Sequence, residues 1–293
     1  MKEKILIVDD MDVNLKFLNI LLRDRYQVLA SNTSKKAIEL AQSEQPDLIL
    51  LDIIMPDDID GFEICEILKN DPKTKHIPVI FITSRVDEES IVRGYEVGAV
   101  DYITKPYKKM ELMAKIKTHL KIKSLIEKLE YIATHDTMTG VYNRREFFRL
   151  AQEKFENNKD NLFAVMIDID NFKNINDQYG HYIGDIVIKE FAKIVKEYIK
   201  PDTIFGRIGG EEFALICSYE KESKINHRIE ILRKAIERTP IDTAYGVLHF
   251  TISIGIAKVS NEHKNIDDLL KSADKNLYQA KDEGKNRIVF RSR

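Results

Sequence analysis

The sequence contains few cysteines. Cys65 and Cys217 are the only two in 293 residues, lie far apart, and have neither a C-x-x-C partner nor a histidine cluster nearby. That scarcity excludes a disulfide framework and a structural zinc site of the usual spacing, and it predicts a reducing compartment. Long apolar runs are also missing: nowhere do eighteen apolar residues follow one another, and the opening MKEKILIVDD reaches acidic residues too soon for a secretory h-region. These absences predict a soluble, cytoplasmic chain with no membrane partner. Neither sign of charge is in excess, since 46 Lys+Arg face 48 Asp+Glu for a formal charge of −2. A general electrostatic case for nucleic acid is therefore excluded, although a local basic pocket for phosphates is not. The length exceeds what one hydrophobic core usually supports, so two domains are expected.

In the first half, KILIVDD (4–10), DLILLD (47–52), VIFITS (79–84) and DYITK (101–105) are short β-branched runs separated by stretches of helical spacing. Such alternation predicts an α/β domain with a doubly wound parallel sheet, whose ligands sit at the carboxyl ends of the strands. The polar residues at those ends are Asp9 and Asp10, Asp52, Thr83 and Lys105. Singly, each is an ordinary turn or cap residue. Together, three acids at one edge repel unless a hard divalent cation and a lysine meet them, the oxygen-rich setting that Mg²⁺ prefers. Asp52 is then a candidate phosphoacceptor, with Lys105 and the Thr83 hydroxyl to receive the added phosphoryl group.

Order and spacing of VDD, LLDIIMPDDIDGFE, FITS and DYITKP make this half similar to response-regulator receiver domains, over residues 1–120. The resemblance implies a five-stranded sheet and phosphoryl transfer from a cognate histidine kinase to Asp52. It implies Mg²⁺ (or Mn²⁺) held by Asp9, Asp10, Asp52 and the backbone carbonyl of Ile54, and gives Tyr102 as the switch aromatic that turns inward with Thr83. The segment PDDIDG after Met55 is longer and more acidic than the family pattern, which bears on the shape of that loop.

From Lys108 to Ala133 neither Gly nor Pro interrupts a stretch rich in Lys, Glu, Leu and Ile, which predicts one long helix. Met113, Ile116 and Leu120 form one apolar stripe; Ile122, Leu125, Leu129 and Ile132 form another, with a slip near Lys121. The first is expected to cover the receiver sheet. The second fits a coiled-coil partner and an amphipathic linker equally well. Lys115, Lys117, Lys121 and Lys123 are expected on a solvated face, and residues 121–134 serve as the linker helix.

In the second half, LFAVMIDID (162–170) ends in Asp168 and Asp170, and is followed by IVIKEFAKIVKEYI (186–199) and the hairpin TIFGRIGGEEFALIC. After the amphipathic SKINHRIEILRKAIE come the strand-forming VLHFTISIGIAKV (247–259) and the closing LLKSADKNLYQAKDEGKNRIVF. The pattern predicts an α+β sheet with helices packed on one face. If their strands pair, Asp168 and Glu211 converge into an incomplete oxygen shell suited to Mg²⁺ and substrate phosphates, and Gly209 and Gly210 allow a tight turn and close approach of a nucleotide. A surface hairpin with solvated acids explains the same pentapeptide equally well.

The motifs DTMTGVYNRR (136–145), DIDNFKNINDQYGHYIGD (168–185), RIGGEEF (207–213), ISIGIA (252–257) and AKDEGKNR (280–287) occur in the order and spacing of the GGDEF diguanylate cyclases, which residues 135–293 thus resemble. That resemblance implies a palm-like nucleotidyl cyclase fold joining two GTP into cyclic di-GMP, one nucleotide per protomer of a homodimer. It implies Asp168, the Ile169 carbonyl and Glu211 as ligands of Mg²⁺ (or Mn²⁺), Lys173 on the triphosphate, Glu211 as proton acceptor and Glu212 as its neighbour in catalysis. Asn176, His181 and Asp185 match guanosine contacts, and Lys281 and Lys285 match a phosphate-binding pair. An Asp185 carboxylate accepts from guanine N1–H and its exocyclic amine; adenine would leave it unpaired at a cost of about 1–3 kcal/mol. Members with product inhibition carry Arg-x-x-Asp where this chain has Lys200-Pro201-Asp202-Thr203, so weak feedback is expected. The alternative is a non-catalytic GTP or cyclic di-GMP sensor or docking module; an enzyme making a different cyclic nucleotide is disfavoured by Asp185.

Overall fold

The computed structural model of the chain describes residues 2–55, 59–84, 88–157, 160–243 and 246–291. It divides into two compact units, Met1–Leu129 and Glu130–Arg293. No helix among the described residues is long and apolar enough to cross a membrane.

The first unit alternates strand and helix: β1 (Lys4–Val8), α1 (Asp12–Leu22), β2 (Gln27–Ser31), α2 (Ser34–Glu44), β3 (Leu48–Asp52), α3 (Gly61–Asn70), β4 (Val79–Thr83), α4 (Glu88–Glu96) and β5 (Asp101–Thr104), then α5 (Lys109–Thr134). The strands form one parallel sheet in the order β2-β1-β3-β4-β5. β1, β3 and β4 are apolar almost end to end because side chains from both faces enter cores, Leu6, Ile49 and Phe81 on one side and Ile5, Leu48 and Ile80 on the other. β2 is the strand that the apolar runs do not reveal. It lies at the sheet edge, and its QVLAS sequence leaves Gln27 and Ala30 exposed.

Helix α5 forms as its uninterrupted sequence predicts. Ile116 and Leu120 are buried, with Leu112 beside them and Met113 partly so, whereas Ile122, Leu125, Leu129 and Ile132 are exposed. The solvated lysine face needs correction. Lys115 pairs with Asp101 at 2.7 Å and Lys123 with Asp47 at 2.7 Å, each meeting a carboxylate that begins or precedes a strand; Lys117 and Lys121 are exposed.

The second unit continues with α6 (Arg144–Asn157), β6 (Leu162–Ile169), α7 (Phe172–Tyr179), α8 (His181–Tyr198), β7 (Ile204–Arg207), β8 (Glu212–Ser218), α9 (Glu222–Arg238), β9 (Ile241–Thr243), β10 (Gly246–Leu248), β11 (Ile252–Lys258), α10 (Ile266–Asp282) and β12 (Ile288–Phe290). Five strands form a mixed sheet, β12-β11-β6-β8-β7, and β9 and β10 form a separate hairpin. The stretch from Val247 to Val259 thus divides between β10 and β11 rather than forming one strand. Helices pack on both faces of the main sheet, not one. Odd-numbered β6 residues such as Val165 and Ile167 meet Val187 and Phe191 of α8 and Ile229 of α9, while Ala164 and Met166 meet Phe147 of α6 and Ala273 of α10. Because β6 is buried along its whole length without alternation, it requires cover on each side.

One glycine fixes how α10 lies on the sheet. A Cβ on Gly255 of β11 would fall 2.1 Å from the Ala273 carbonyl oxygen and 2.2 Å from the Leu277 nitrogen, so helix backbone touches strand backbone there. Asn276 secures the contact by donating to the Ile256 carbonyl at 2.7 Å. Cys65 and Cys217 are unpaired and buried, and burial pushes their thiols up to about 11 and about 12.

Gly255→Ala is expected to lower folding stability by about 3 kcal/mol through overpacking at this contact. Urea unfolding checks this, and an unchanged midpoint would contradict the backbone contact.

Candidate active sites

At the carboxyl edge of the first sheet, the β1–β3 pairing sets the residues after Val8 beside the end of β3. Asp9 and Asp52 are buried there, 1% and 5% exposed. Lys105, just beyond β5, donates to Asp52 Oδ2 at 2.6 Å and to Asp9 Oδ2 at 2.8 Å. Asp9 also accepts from the Met11 amide and the Asn14 side chain, and Asp52 from the Ile54 amide. Burial raises the Asp52 pKa, with the Asp9 charge adding to the effect and Lys105 opposing it. Burial alone would lower Lys105, but its bonds to the two carboxylates prevail and raise it. Asp9, Asp10 and Asp52 each offer an oxygen within 4.8 Å of the others; among the described residues, this is the one such group of three. A Cβ on Gly61 would fall 2.2 Å from the Asp52 carbonyl oxygen, so glycine lets α3 start directly against the end of β3.

Thr83 ends β4, with Tyr102 on the adjacent β5. Both line a cavity of about 10 Å³ together with Ile53, Phe81 and Tyr95. That space suits about one water molecule and not a phenol ring, so an inward turn of Tyr102 requires its neighbours to yield. The Tyr102 ring meets Tyr95 edge-on at 6.3 Å, and Lys115 Nζ lies 5.1 Å from its centroid. In PDDIDG, Pro56, Asp57 and Asp58 lie outside the described residues; Asp60 caps α3 through a reciprocal pair with Glu63.

In the second unit, antiparallel pairing sets Asp168 of β6 directly opposite Glu212 of β8. Asp168 is 6% exposed, and Lys281 from α10 reaches its Oδ2 at 2.8 Å. Burial pushes the Asp168 carboxyl up to about 6; Lys281 works against this, and the nearby charges of Glu211 and Glu212 work with it. The acids therefore gather, but with a lysine among them. Asp170, the other acid of the motif, has a different task. It is saturated by the hydroxyls of Thr251 and Ser253 at 2.7 and 2.6 Å and by the Asn286 amide at 3.0 Å.

The hairpin tip closes through the Ile208 and Gly209 amides on the Glu212 carbonyl. Neither Gly209 nor Gly210 is left-handed, so a tight left-handed turn does not explain them. A Cβ on Gly209 would lie 2.7 Å from Glu212 Oε2, whereas one on Gly210 would enter open space. Asp136 and Arg207, which sequence reasoning left without a role, brace this tip. Arg207 donates to the Gly210 carbonyl at 3.0 and 2.8 Å and to Asp136 at 3.3 Å, and Asp136 accepts from Thr139. Their only local signal was membership in two motifs far apart in the chain.

Lys173 is exposed in the first turn of α7, and Asn176 follows one turn later. Gly180, with φ +83°, turns the chain into α8, which starts at the exposed His181 and carries the half-buried Asp185. Gly184 brings the helices together: a Cβ there would fall 2.0 Å from Asn176 Oδ1. Lys285 donates to Asn171 Oδ1, next to Asp170. The structure sets Asp168 opposite Glu212 with Lys281 on its carboxylate, and Glu211 lies one residue ahead of β8, but among the described residues these three acids do not form a second group with oxygens within 4.8 Å of one another; Ile169 continues β6 and Lys285 lies in the following loop. Among the described residues, no ion pair links Lys173, His181 or Asp185 to Asp168.

The family description "Diguanylate cyclase, GGDEF domain" matches residues 133–287, and "Response regulator receiver domain" matches residues 5–117. The chain belongs to the GGDEF family. Its GGDEF domain follows a receiver domain, and the response regulator PleD of Caulobacter vibrioides is 29% identical over 98% of this chain. The chain spans 65% of the length of that relative. Diguanylate cyclase A of Treponema denticola is 36% identical over 54% of this chain and 44% of its own length. Among solved structures, the coiled coil and GGDEF domain of DgcB from Caulobacter crescentus, in complex with c-di-GMP, aligns with a TM-score of 0.54 at 26% identity, covering 62% of this chain and 97% of that one.

Replacing Arg207 by lysine leaves a point charge that cannot hold the Gly210 carbonyl and Asp136 together. A loss of about 1–2 kcal/mol is expected, with faster amide exchange confined to the GGDEF hairpin. Hydrogen-exchange mass spectrometry reads the second effect, and unchanged exchange there would contradict the brace.

Proposed function

We propose that the protein is a response regulator whose GGDEF domain condenses two GTP into cyclic di-GMP and two pyrophosphates, controlled by phosphorylation of Asp52 and by dimerisation. The observation that carries this reading is the buried Asp168, opposite Glu212 and within reach of Lys281. A carboxylate so buried, with two acids crowding it, suits a cation-binding, phosphate-handling centre better than a solvated surface hairpin.

In each of two equivalent steps, the 3′-oxygen of one GTP attacks the α-phosphorus of the other. The new O–P bond forms as the bond to the β-phosphate bridging oxygen breaks, and pyrophosphate leaves. Glu211 accepts the hydroxyl proton, with Glu212 as its neighbour. Lys173, Lys281 and Lys285 balance phosphate charge. Asn176, His181 and Asp185 hold the guanosine, and Asp185 selects guanine through paired acceptor contacts. Asp168, the Ile169 carbonyl and Glu211 suit Mg²⁺ or Mn²⁺, as do Asp9, Asp10, Asp52 and the Ile54 carbonyl; when bound, the ion supplies Lewis-acid stabilisation of phosphoryl oxygens. Each domain holds one nucleotide, so a homodimer is a chemical requirement.

In the receiver domain, Asp52 takes a phosphoryl group from a histidine kinase: the N–P bond breaks as an O–P bond forms on the carboxylate. Lys105, already bonded to Asp52, is in reach of the product. Thr83 and Tyr102 respond through the small cavity between them.

Incubating the purified chain with Mg²⁺ and GTP, with and without beryllofluoride as a phosphoryl mimic, is expected to yield cyclic di-GMP by mass spectrometry. Glu211→Gln should lower turnover about 100-fold or more, and Asp52→Asn should remove the response to beryllofluoride. No cyclic dinucleotide under either condition would leave the sensor or docking reading. Lys200 donates to the Ser218 carbonyl rather than joining an Arg-x-x-Asp pair, so added cyclic di-GMP is expected to inhibit weakly. Stoichiometric inhibition would contradict this.

A further inference from the structure

The turn that carries Lys285 is held in place from a distance. Between α10 and β12, Gly284, Lys285 and Asn286 have φ values of +111°, +63° and +48°. Two successive non-glycine residues in the left-handed region, one of them a lysine, persist where their surroundings over-determine them. Here three bonds converge on Asn286. Its amide donates to Asp170 Oδ2 at 3.0 Å, its Nδ2 donates to Glu237 Oε1 at 2.7 Å, and its Oδ1 accepts from Arg233 Nη1 at 2.6 Å.

Arg233 and Glu237 belong to α9, 53 and 49 residues away in sequence. Arg233 is only 9% exposed, an uncommon depth for a guanidinium. Three of its other four N–H donors go to Glu230 at 2.9 and 2.8 Å and to Glu237 at 3.1 Å, which fixes the plane presented to Asn286. Among the described residues, none of these bonds reaches Asp168, Glu211 or Glu212. The effect of this arrangement there runs through the turn, whose preceding residue, Lys285, extends to Asn171 beside the end of β6.

We propose that Arg233, Glu237 and Asn286 form a latch that sets the left-handed turn presenting Lys285, making them positioning residues for the phosphate end of the nucleotide. This rests on the proposed nucleotide site. The latch explains why α9 buries an arginine on a face otherwise given to isoleucine and leucine. It also explains why Asp170 is withheld from the acid cluster: its second oxygen anchors the same turn.

Asn286→Gly is the discriminating variant, because glycine keeps the left-handed conformation at little cost while removing both side-chain bonds. With the full chain and Mg²⁺, calorimetry is expected to give about tenfold weaker GTP binding, a fold-change that matches the loss of about one such hydrogen bond's worth of phosphate positioning. Guanosine, which has no phosphates, should bind as tightly as to the parent chain by NMR titration. In a Lys285→Ala background, Asn286→Gly should weaken GTP no further, because the two changes remove the same contact. Glu237→Gln, which keeps an acceptor for Asn286, should retain affinity where Glu237→Ala loses it. Undiminished GTP affinity in Asn286→Gly, equal weakening of GTP and guanosine, or additive losses with Lys285→Ala would overturn the latch. A parent chain that binds no GTP would overturn the nucleotide reading and the latch with it, a result distinct from a parent that binds and a variant that binds equally.

Discussion

A carboxylate buried at the end of a strand needs donors to hold it, and at one acidic edge in each domain a lysine supplies them. Asp52 and Asp9 face Lys105, and Asp168 faces Lys281. In each case the lysine comes from the last part of its domain, so the acidic edge is assembled only when the final elements close over the sheet. Removing one partner of a fully buried pair typically costs about 3–5 kcal/mol, because the remaining charge is left in a medium that cannot solvate it, and the cost here is lower because Lys105 and Lys281 reach solvent, 23% and 34% exposed. The rest of each site is arranged around this constraint. For Asp52 and Asp168, burial and a neighbouring acid hold the carboxyl back from ionising, and the lysine opposes them.

The two edges differ in what shapes them. In the receiver domain, parallel strands deliver their acids side by side, and Gly61 lets α3 start closely against the end of β3. In the GGDEF domain, antiparallel pairing sets Asp168 against Glu212 in register, and the hairpin tip is held by Arg207 from behind. The reach of Arg207 to Asp136 ties the segment after α5 to the GGEEF tip within one domain.

Much of this was legible in the chain. Strands buried on both faces appear as unbroken apolar runs, so β1, β3, β4 and β6 were visible, as was the uninterrupted α5. β2 escaped because an edge strand half open to solvent has no such run. The acids at strand ends were legible because their spacing follows the strands. Pairings between elements were not: the partners of Lys115 and Lys123, the Asp136–Arg207 brace and the seating of Asn286 on α9 leave no local pattern. Asp168 and Asp170 look equivalent in sequence, two residues apart on one strand end. Only the hydroxyls of Thr251 and Ser253, brought in by β11, separate a structural acid from one facing the site. Helices on both faces of the second sheet were implied by the continuous burial of β6, although the alternation of elements suggested a single layer.

Backbone touching backbone at Gly255 leaves α10 no slack against β11. The helix is seated as a fixed rod one to two turns before Lys281, so it cannot slide or roll to accommodate an incoming ligand. Whatever Lys281 does when its carboxylate partner finds another counter-charge must be accomplished by rotation about its own four side-chain torsions. A flexible tether on an immovable post can exchange one oxygen for another within a radius of a few ångströms, while the fold around it stays still.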